Sequence, residues 1–330
     1  MTFLFGGTCA MDQITFSQFF PVELREKMRD IPLGDAEEIR IRVGQPVELY
    51  MDGGYVRLPD TCIDRSMLRE MLNYLTGYSL YALEEEMKQG FFTIEGGHRV
   101  GLCGHMSYHD GGGGNRADVL SDISGLNIRI AHEVKGCAMG LLPYIRQGDS
   151  IYNTLIFAPP GVGKTTYLRD LIRILSGGED HRRGLKVGVV DERSEIAACH
   201  KGVAQNDLGP RTDVLDNCPK EIGMHMLLRS MSPEVIAVDE LGKEADFLAV
   251  QSAMRAGVRI IGTIHAQARA ELYEKPHMEE ILHTGDWRLV RLIRADTEET
   301  KETGKERKNR INRRQAMIYV PNQEEGIWVS

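Results

Sequence analysis

Residues 151–165 read IYNTLIFAPPGVGKT, and Thr166 leads on into a segment whose apolar residues Leu168, Leu171, Ile172 and Leu175 recur three and four apart. An apolar run, a turn rich in Pro and Gly, then an amphipathic helix is the order of strand, loop and helix in a parallel α/β sheet. The loop itself, Ala158-Pro159-Pro160-Gly161-Val162-Gly163-Lys164-Thr165, fits the pattern of a phosphate-binding loop. Such a loop turns successive backbone N–H groups inward, and the N-terminus of the following helix adds partial positive charge. On this reading Pro160, Gly161, Val162, Gly163, Lys164, Thr165 and Thr166 hold the phosphates of ATP. The Lys164 ammonium reaches the β- and γ-phosphates, and the Thr165 hydroxyl ligates Mg2+. Ala158 stands where the strict pattern has glycine. It tolerates fewer backbone conformations, so the chain is expected to approach the loop in a helical or extended form.

Further along, short apolar runs continue to alternate with amphipathic segments. Val187–Val190, Val235–Val238 and Val258–Ile264 read as strands; Thr165–Leu175, a segment near 220–230 and Ala245–Ala256 read as helices. This is the pattern of a mainly parallel sheet with crossover helices. Two of the strands end in acids, and ligands of open α/β sheets bind outside the strands' carboxyl ends. After Val238 come Asp239 and Glu240: the first is expected to hold the Mg2+ shell and the second to polarise an attacking water. After Val190 come Asp191-Glu192-Arg193-Ser194-Glu195, of which Glu192 is the candidate for a second acid near the water or metal. His265, at the end of the strand from Val258, is a candidate for a hydrogen bond to the γ-phosphate or the metal shell.

The first 140 residues have a different texture. Glu38–Val43 alternate polar and apolar as a half-buried strand does. Pro46–Tyr50 and Tyr55–Leu58 flank Asp52-Gly53-Gly54 as a hairpin, and a helix begins near Asp64. Phe91–Ile94, a turn at Gly96-Gly97 and Arg99–Cys103 form a second hairpin, and Leu126–Ile130 one more strand. The glycines 111–114 read as a loop, and the charged stretch Asp296–Arg314 as a solvated excursion between Leu289–Ile293 and Ala316–Val320. The expected architecture is a smaller α+β domain over 1–140 and a P-loop α/β domain over 141–330.

Composition narrows the function. Forty Lys and Arg against 48 Asp and Glu give a net charge of −8, which gives no strong nucleic-acid signal. No apolar run is long enough to cross a bilayer, and MTFLFGGTCA lacks the basic region of a signal peptide. The six cysteines are scattered without a C-x-x-C pair, so a cytoplasmic setting without disulfides or zinc is expected.

Taken in order, the phosphate loop, Val190-Asp191-Glu192-Arg193-Ser194-Glu195-Ile196, Leu228–Glu240 and Thr263-Ile264-His265-Ala266 resemble the Walker A, Asp box, Walker B and His box of type II/type IV secretion ATPases, which have a RecA-like fold. Together with EIRIRVGQP (38–46), TIEGGHRVGLCG (93–104), NIRIA (127–131) and QNDLGPRTDVLDNCP (205–219), they most closely resemble the stage III sporulation protein AA family of endospore-forming bacteria. The resemblance runs from about residue 37 to 293. It implies a homo-hexameric ATPase motor with nucleotide between subunits. It also implies N-domain arginines at the phosphates, for which Arg99 and Arg129 are the candidates. A P-loop alone hydrolyses slowly, and an arginine supplied from elsewhere adds on the order of 10³–10⁵ in rate. The implied role is to energise a secretion-like assembly of membrane proteins during engulfment, with the motor peripheral at the membrane facing the forming spore. Two departures stand out. Asp239-Glu240 replaces the usual Gly-Glu, and Leu241-Gly242-Lys243 follows where secretion ATPases carry an arginine and an acid, so no arginine role is implied there. No counterpart of the C-terminal helical domain or tetracysteine module of some secretion motors is evident. Two other readings stay open: a P-loop motor on nucleic acid, suggested by the basic residues in Lys305–Arg314, and an ATP-binding scaffold with little hydrolysis.

Overall fold

The alternation at residues 38–43 becomes strand β1 (Glu38–Arg42), in which Ile39 and Ile41 are buried and the polar residues between them face the other way. The computed structural model describes residues 19–29, 31, 33, 36–51, 54–78, 87, 90–111, 115–179, 181–275, 277–284, 286–294, 314–320 and 325–329. Helix α1 (Val22–Met28) precedes β1; β2 (Glu48–Met51) and β3 (Gly54–Arg57) form the expected hairpin after it. Helix α2 (Arg65–Leu75) starts where Asp64 caps it by accepting from the Met67 N–H at 2.8 Å. Then come β4 (Phe91–Thr93), β5 (Arg99–Gly111) and β6 (Asn115–Arg129). The sheet order is β3-β2-β1-β6-β5-β4, antiparallel throughout. One face carries Ile39, Leu49, Phe92, Val100 and Ile128 into a core shared with α1 and α2.

Strands β5 and β6 run well beyond the expected Arg99–Cys103 and Leu126–Ile130. His105–Gly111 pairs with Asn115–Ser121 by backbone register, and polar residues and glycine outnumber apolar ones in both segments. Gly111 closes the ladder opposite Asn115, while 112–114 of the glycine run lie outside the described residues.

The chain divides into two compact units, Met1–His132 and Glu133–Ser330. The division comes ahead of residue 140 because the intervening segment is tied into the second unit. Buried Asp170 accepts from the N–H groups of Gly136 (3.0 Å) and Ala138 (2.8 Å), and Lys135 donates to Asp207 at 2.7 Å.

The second unit opens with α3 (Leu142–Ile145), β7 (Arg146–Gln147) and β8 (Ser150–Ile151). Its sheet strands are β9 (Asn153–Ala158), β10 (Val187–Asp191), β11 (Thr212–Asp216), β12 (Val235–Val238), β13 (Arg259–His265), β14 (Trp287–Arg294), β15 (Arg314–Tyr319) and β16 (Ile327–Val329). Its remaining helices are α4 (Lys164–Gly177), α5 (Lys220–Ser230), α6 (Glu244–Arg255), α7 (Arg269–Tyr273) and α8 (Met278–Thr284). The strand order is β11-β10-β12-β13-β9-β14-β15-β16; β11 through β14 are parallel and the last two antiparallel. Strands β9, β10 and β12 are buried along their whole length, as expected of parallel strands covered on both faces. One face packs on α4 through Leu168, Leu171 and Ile172, the other on α5 and α6 through Met224, Phe247 and Val250. Most of the charged excursion, residues 296–313, lies outside the described residues; the strands flanking it pair directly, Arg294 opposite Arg314.

Close approach of α5 to β10 depends on Gly223, where an added Cβ would collide with the Val190 side chain and lie 3.2 Å from Cys218 Sγ. Gly223→Ala adds a methyl group to a filled space, which costs about 1–3 kcal/mol, against a gain in helix propensity of about 1 kcal/mol. A net loss of stability in urea melts is therefore expected; a variant as stable as the parent would show that this interface has room to relax.

Candidate active site

The phosphate loop begins at the C-terminal end of β9. Ala158 is still part of the strand and buried, which is the extended approach its side chain requires. Gly161 (φ 74°) and Gly163 (φ 106°) take the left-handed turns that side chains resist. Gly163 is the N-cap of α4, so the helix N-terminus opens directly into the loop, with Pro160 and Gly161 exposed at its rim. Val162 packs its side chain on the α4 core, and Thr166 continues the helix.

Lys164, the first helical residue, is 5% exposed and donates to the carbonyls of Ala158 (3.0 Å) and Pro159 (3.2 Å). It thereby ties the loop back on itself. Burial lowers its pKa, while the negative charges of Asp239 and Glu240 work in the opposite sense. The Thr165 hydroxyl donates to Asp239 Oδ2 at 2.7 Å.

Strand order explains how these groups meet. β13 lies between β9 and β12, so the acids following β12 reach the loop across the end of β13. Thr263 of β13 fills that gap: its hydroxyl donates to Asp239 Oδ1 and accepts from the Glu240 N–H at 2.8 Å. Glu240 itself takes a left-handed φ of 53°, uncommon for a residue with a side chain and a mark of functional sites. His265, which ends β13, places Nδ1 2.9 Å from Lys164 Nζ and Nε2 3.0 Å from Glu240 Oε1. Arg193 donates to Glu240 Oε2 at 2.6 Å. Burial would raise the Glu240 pKa, but the His265 hydrogen bond and the Arg193 charge outweigh it and hold the carboxyl below its usual range.

The structure therefore gathers Lys164, Thr165, Asp239, Glu240 and His265 into one cluster at the strands' carboxyl ends. Glu192 sits at its edge with its oxygens bonded to Lys220 and, at 3.1 Å, to Lys243. Burial raises its pKa, and those two lysines reverse the shift. The Asp box does a different job at Asp191. This buried carboxylate accepts from the N–H groups of Glu195 (2.9 Å), Ile196 (2.9 Å) and Ala197 (2.8 Å). It shapes the turn that sends Arg193 toward Glu240. Arg193 and Thr263, which lie within the Asp-box and His-box segments, are site residues to which reading along the chain gives no role. An acid at a strand end followed by a short turn into the buried Ile196-Ala197 was the available signal for Asp191.

In the first unit, Arg99 and Arg129 are directly opposite each other on β5 and β6, with Glu38 of β1 opposite Arg129. The Arg99 guanidinium rests over the Phe91 ring, 4.2 Å from its centroid.

The family model described as Sporulation stage III, protein AA matches residues 17–311. Stage III sporulation protein AA of Bacillus subtilis (strain 168) is 43% identical over 270 residues, covering 80% of this chain and 85% of that protein. An uncharacterized protein ycf45 of Porphyra purpurea is 31% identical over 172 residues, covering 48% of this chain and 27% of its own length. Among solved structures, the Legionella pneumophila ATPase DotB aligns with a TM-score of 0.58 at 15% identity, covering 93% of this chain and 82% of that one. The pilus retraction motor PilT with bound ADP gives 0.54 at 15% identity, with 92% and 83% covered. At such identities the likeness is one of fold, and the fold is that of the RecA-like secretion ATPases. With most of its length matched by the family model and a close relative spanning four-fifths of it, the chain belongs to the Sporulation stage III, protein AA family.

Proposed function

We propose that this protein is a Mg2+-dependent ATPase acting as a motor in endospore formation, where it energises a secretion-like membrane assembly at engulfment. The observation that carries the reading is the 2.7 Å bond between the Thr165 hydroxyl and Asp239, at the mouth of a loop whose lysine is buried and bonded to the loop's own carbonyls. Two hard oxygen donors beside a polyphosphate site suit Mg2+, which prefers one or two protein oxygens together with phosphate and water. Bound there, Mg2+ would neutralise charge on the phosphates. The chain's own residues supply the rest: Gly161 to Thr166 offer phosphate oxygens their backbone N–H groups and the helix N-terminus, Pro160 shapes the rim beside them without an N–H of its own, and Lys164 gives its ammonium. Glu240 takes the proton of the attacking water, and His265 hydrogen-bonds the γ-phosphate side of the site. Glu192 has the least support as a second acid, because its oxygens are committed to Lys220 and Lys243.

Arg99 and Arg129, side by side on one strand pair, are proposed to meet phosphate charge in an assembled homo-hexamer. This places ATP between subunits and makes firing depend on domain position. The partners are membrane proteins of the sporulation complex, with the motor held peripherally on the cytoplasmic side. No helix of the described residues is long and apolar enough to cross a membrane. Phosphate release by the purified protein should require both ATP and Mg2+ and be indifferent to added DNA. DNA-stimulated turnover would instead favour a nucleic-acid motor, and bound ATP without turnover a scaffold.

A further inference from the structure

Both oxygens of the Glu240 carboxylate are engaged, Oε1 with His265 Nε2 at 3.0 Å and Oε2 with Arg193 Nη1 at 2.6 Å. The opposite edge of the imidazole, Nδ1, lies 2.9 Å from Lys164 Nζ. An ammonium only donates, so Nδ1 accepts and the ring proton sits on Nε2, from which it is donated to Glu240. Lys164, His265, Glu240 and Arg193 thus form one hydrogen-bonded chain from the phosphate loop to the turn after β10. The Glu240 backbone is pinned by the bond from its N–H to Thr263, so the carboxylate can change position mainly through its side-chain torsions. A general base must come within hydrogen-bond reach of the proton it removes, and a carboxylate stretched between two donors is aimed at them instead.

The two clamps differ in kind. Phosphates in the loop demand the Lys164 ammonium, and its departure takes from His265 the partner that fixes the ring proton on Nε2. That clamp therefore senses loop occupancy. Arg193 lies on the Asp-box turn with 61% of its side chain exposed, and it forms ion pairs with two carboxylates outside the loop, Glu240 at 2.6 Å and Glu195 at 3.6 Å. Filling the loop removes neither of these carboxylates.

We propose that Arg193 is a positioning residue that latches Glu240 in a resting orientation, and that opening this ion pair limits basal ATP turnover once the loop is filled. The proposal rests on the ATPase reading of the site. It assigns Arg193 the opposite sign from an arginine that stabilises transition-state charge, whose loss would slow turnover by orders of magnitude.

The test uses the full chain with Arg193→Ala and Arg193→Lys, measuring kcat and KM for MgATP together with binding of a slowly hydrolysed ATP analogue. An exposed ion pair can hold back a rate by about two- to fivefold, so Arg193→Ala should raise basal kcat by that factor with KM and analogue binding unchanged. Arg193→Lys, which keeps a cation near Glu240 without the planar fork, should fall between the two. A merely structural role would disturb binding and kcat downward together. If both proteins bind the analogue and Arg193→Ala turns over no faster than the parent, the latch is overturned. If the parent binds no analogue, the ATPase reading itself fails and the latch goes with it.

Discussion

Replacing Glu240 by glutamine is expected to lower ATP turnover by about 10²–10⁴-fold, the usual contribution of a positioned general base, while MgATP binding persists. The separation of the two effects follows from where the residue sits. Glu240 is tied to Thr263 through its backbone and to His265 and Arg193 through its side chain, whereas the loop is built on β9 and α4. Glutamine matches the carboxylate in size and keeps one acceptor, enough for Arg193 or for His265 but not for both, so one of these two bonds is lost while the loop on β9 and α4 stays in place; what disappears is an oxygen able to take a proton. Single-turnover hydrolysis beside a binding isotherm would check this. A variant that hydrolyses ATP at the parent's rate would remove Glu240 from the chemistry and leave the Asp-box acids as the alternative.

The second large effect belongs to Lys164. Lys164→Ala should weaken MgATP binding by about 10²-fold or more, since charge-assisted hydrogen bonds contribute roughly 1.5–3 kcal/mol each and an ammonium in this loop makes more than one. The same change leaves the carbonyls of Ala158 and Pro159 without their donor, so some loss of thermal stability should accompany it. A second variant, Lys164→Met, keeps the apolar stem and separates lost charge from lost packing. In cells carrying only Lys164→Ala, sporulation should stop at engulfment. A normal spore yield from those cells would contradict the proposed role while leaving the biochemistry of the site intact.

How much of this was readable beforehand differs from residue to residue for physical reasons. The phosphate loop and the strands β9, β10, β12 and β13 announce themselves, because parallel strands buried on both faces must be continuous apolar runs. Strand β11 does not, since it lies at the sheet edge with every residue at least partly accessible and has no buried face to impose a pattern. The far half of the β5–β6 hairpin escaped for a related reason: backbone register holds it, and its mostly polar residues flank a glycine run that reads as a loop.

Within the site, residues whose type matches a known role at a motif position were legible; Arg193 and Thr263 lie inside the Asp-box and His-box segments, but their roles come from strand order and were not. Thr263 matters because β13 is inserted between β9 and β12, an arrangement periodicity does not report. The residues that follow Glu240 gave no reason to expect an arginine beside it, yet Arg193 arrives from the end of β10, 47 positions earlier. Asp191 corrects the assumption that acids at a strand's end all face the ligand crevice. Three backbone N–H groups turn it inward, and burial raises its pKa despite them.

The claim beneath all of this is that the chain between β9 and α4 grips a nucleoside triphosphate. Titrating MgATP into the intact protein in a calorimeter tests it directly. The expected result is saturable binding that disappears in Lys164→Ala; a parent protein that gives no binding heat and no competition with a labelled ATP analogue would contradict it.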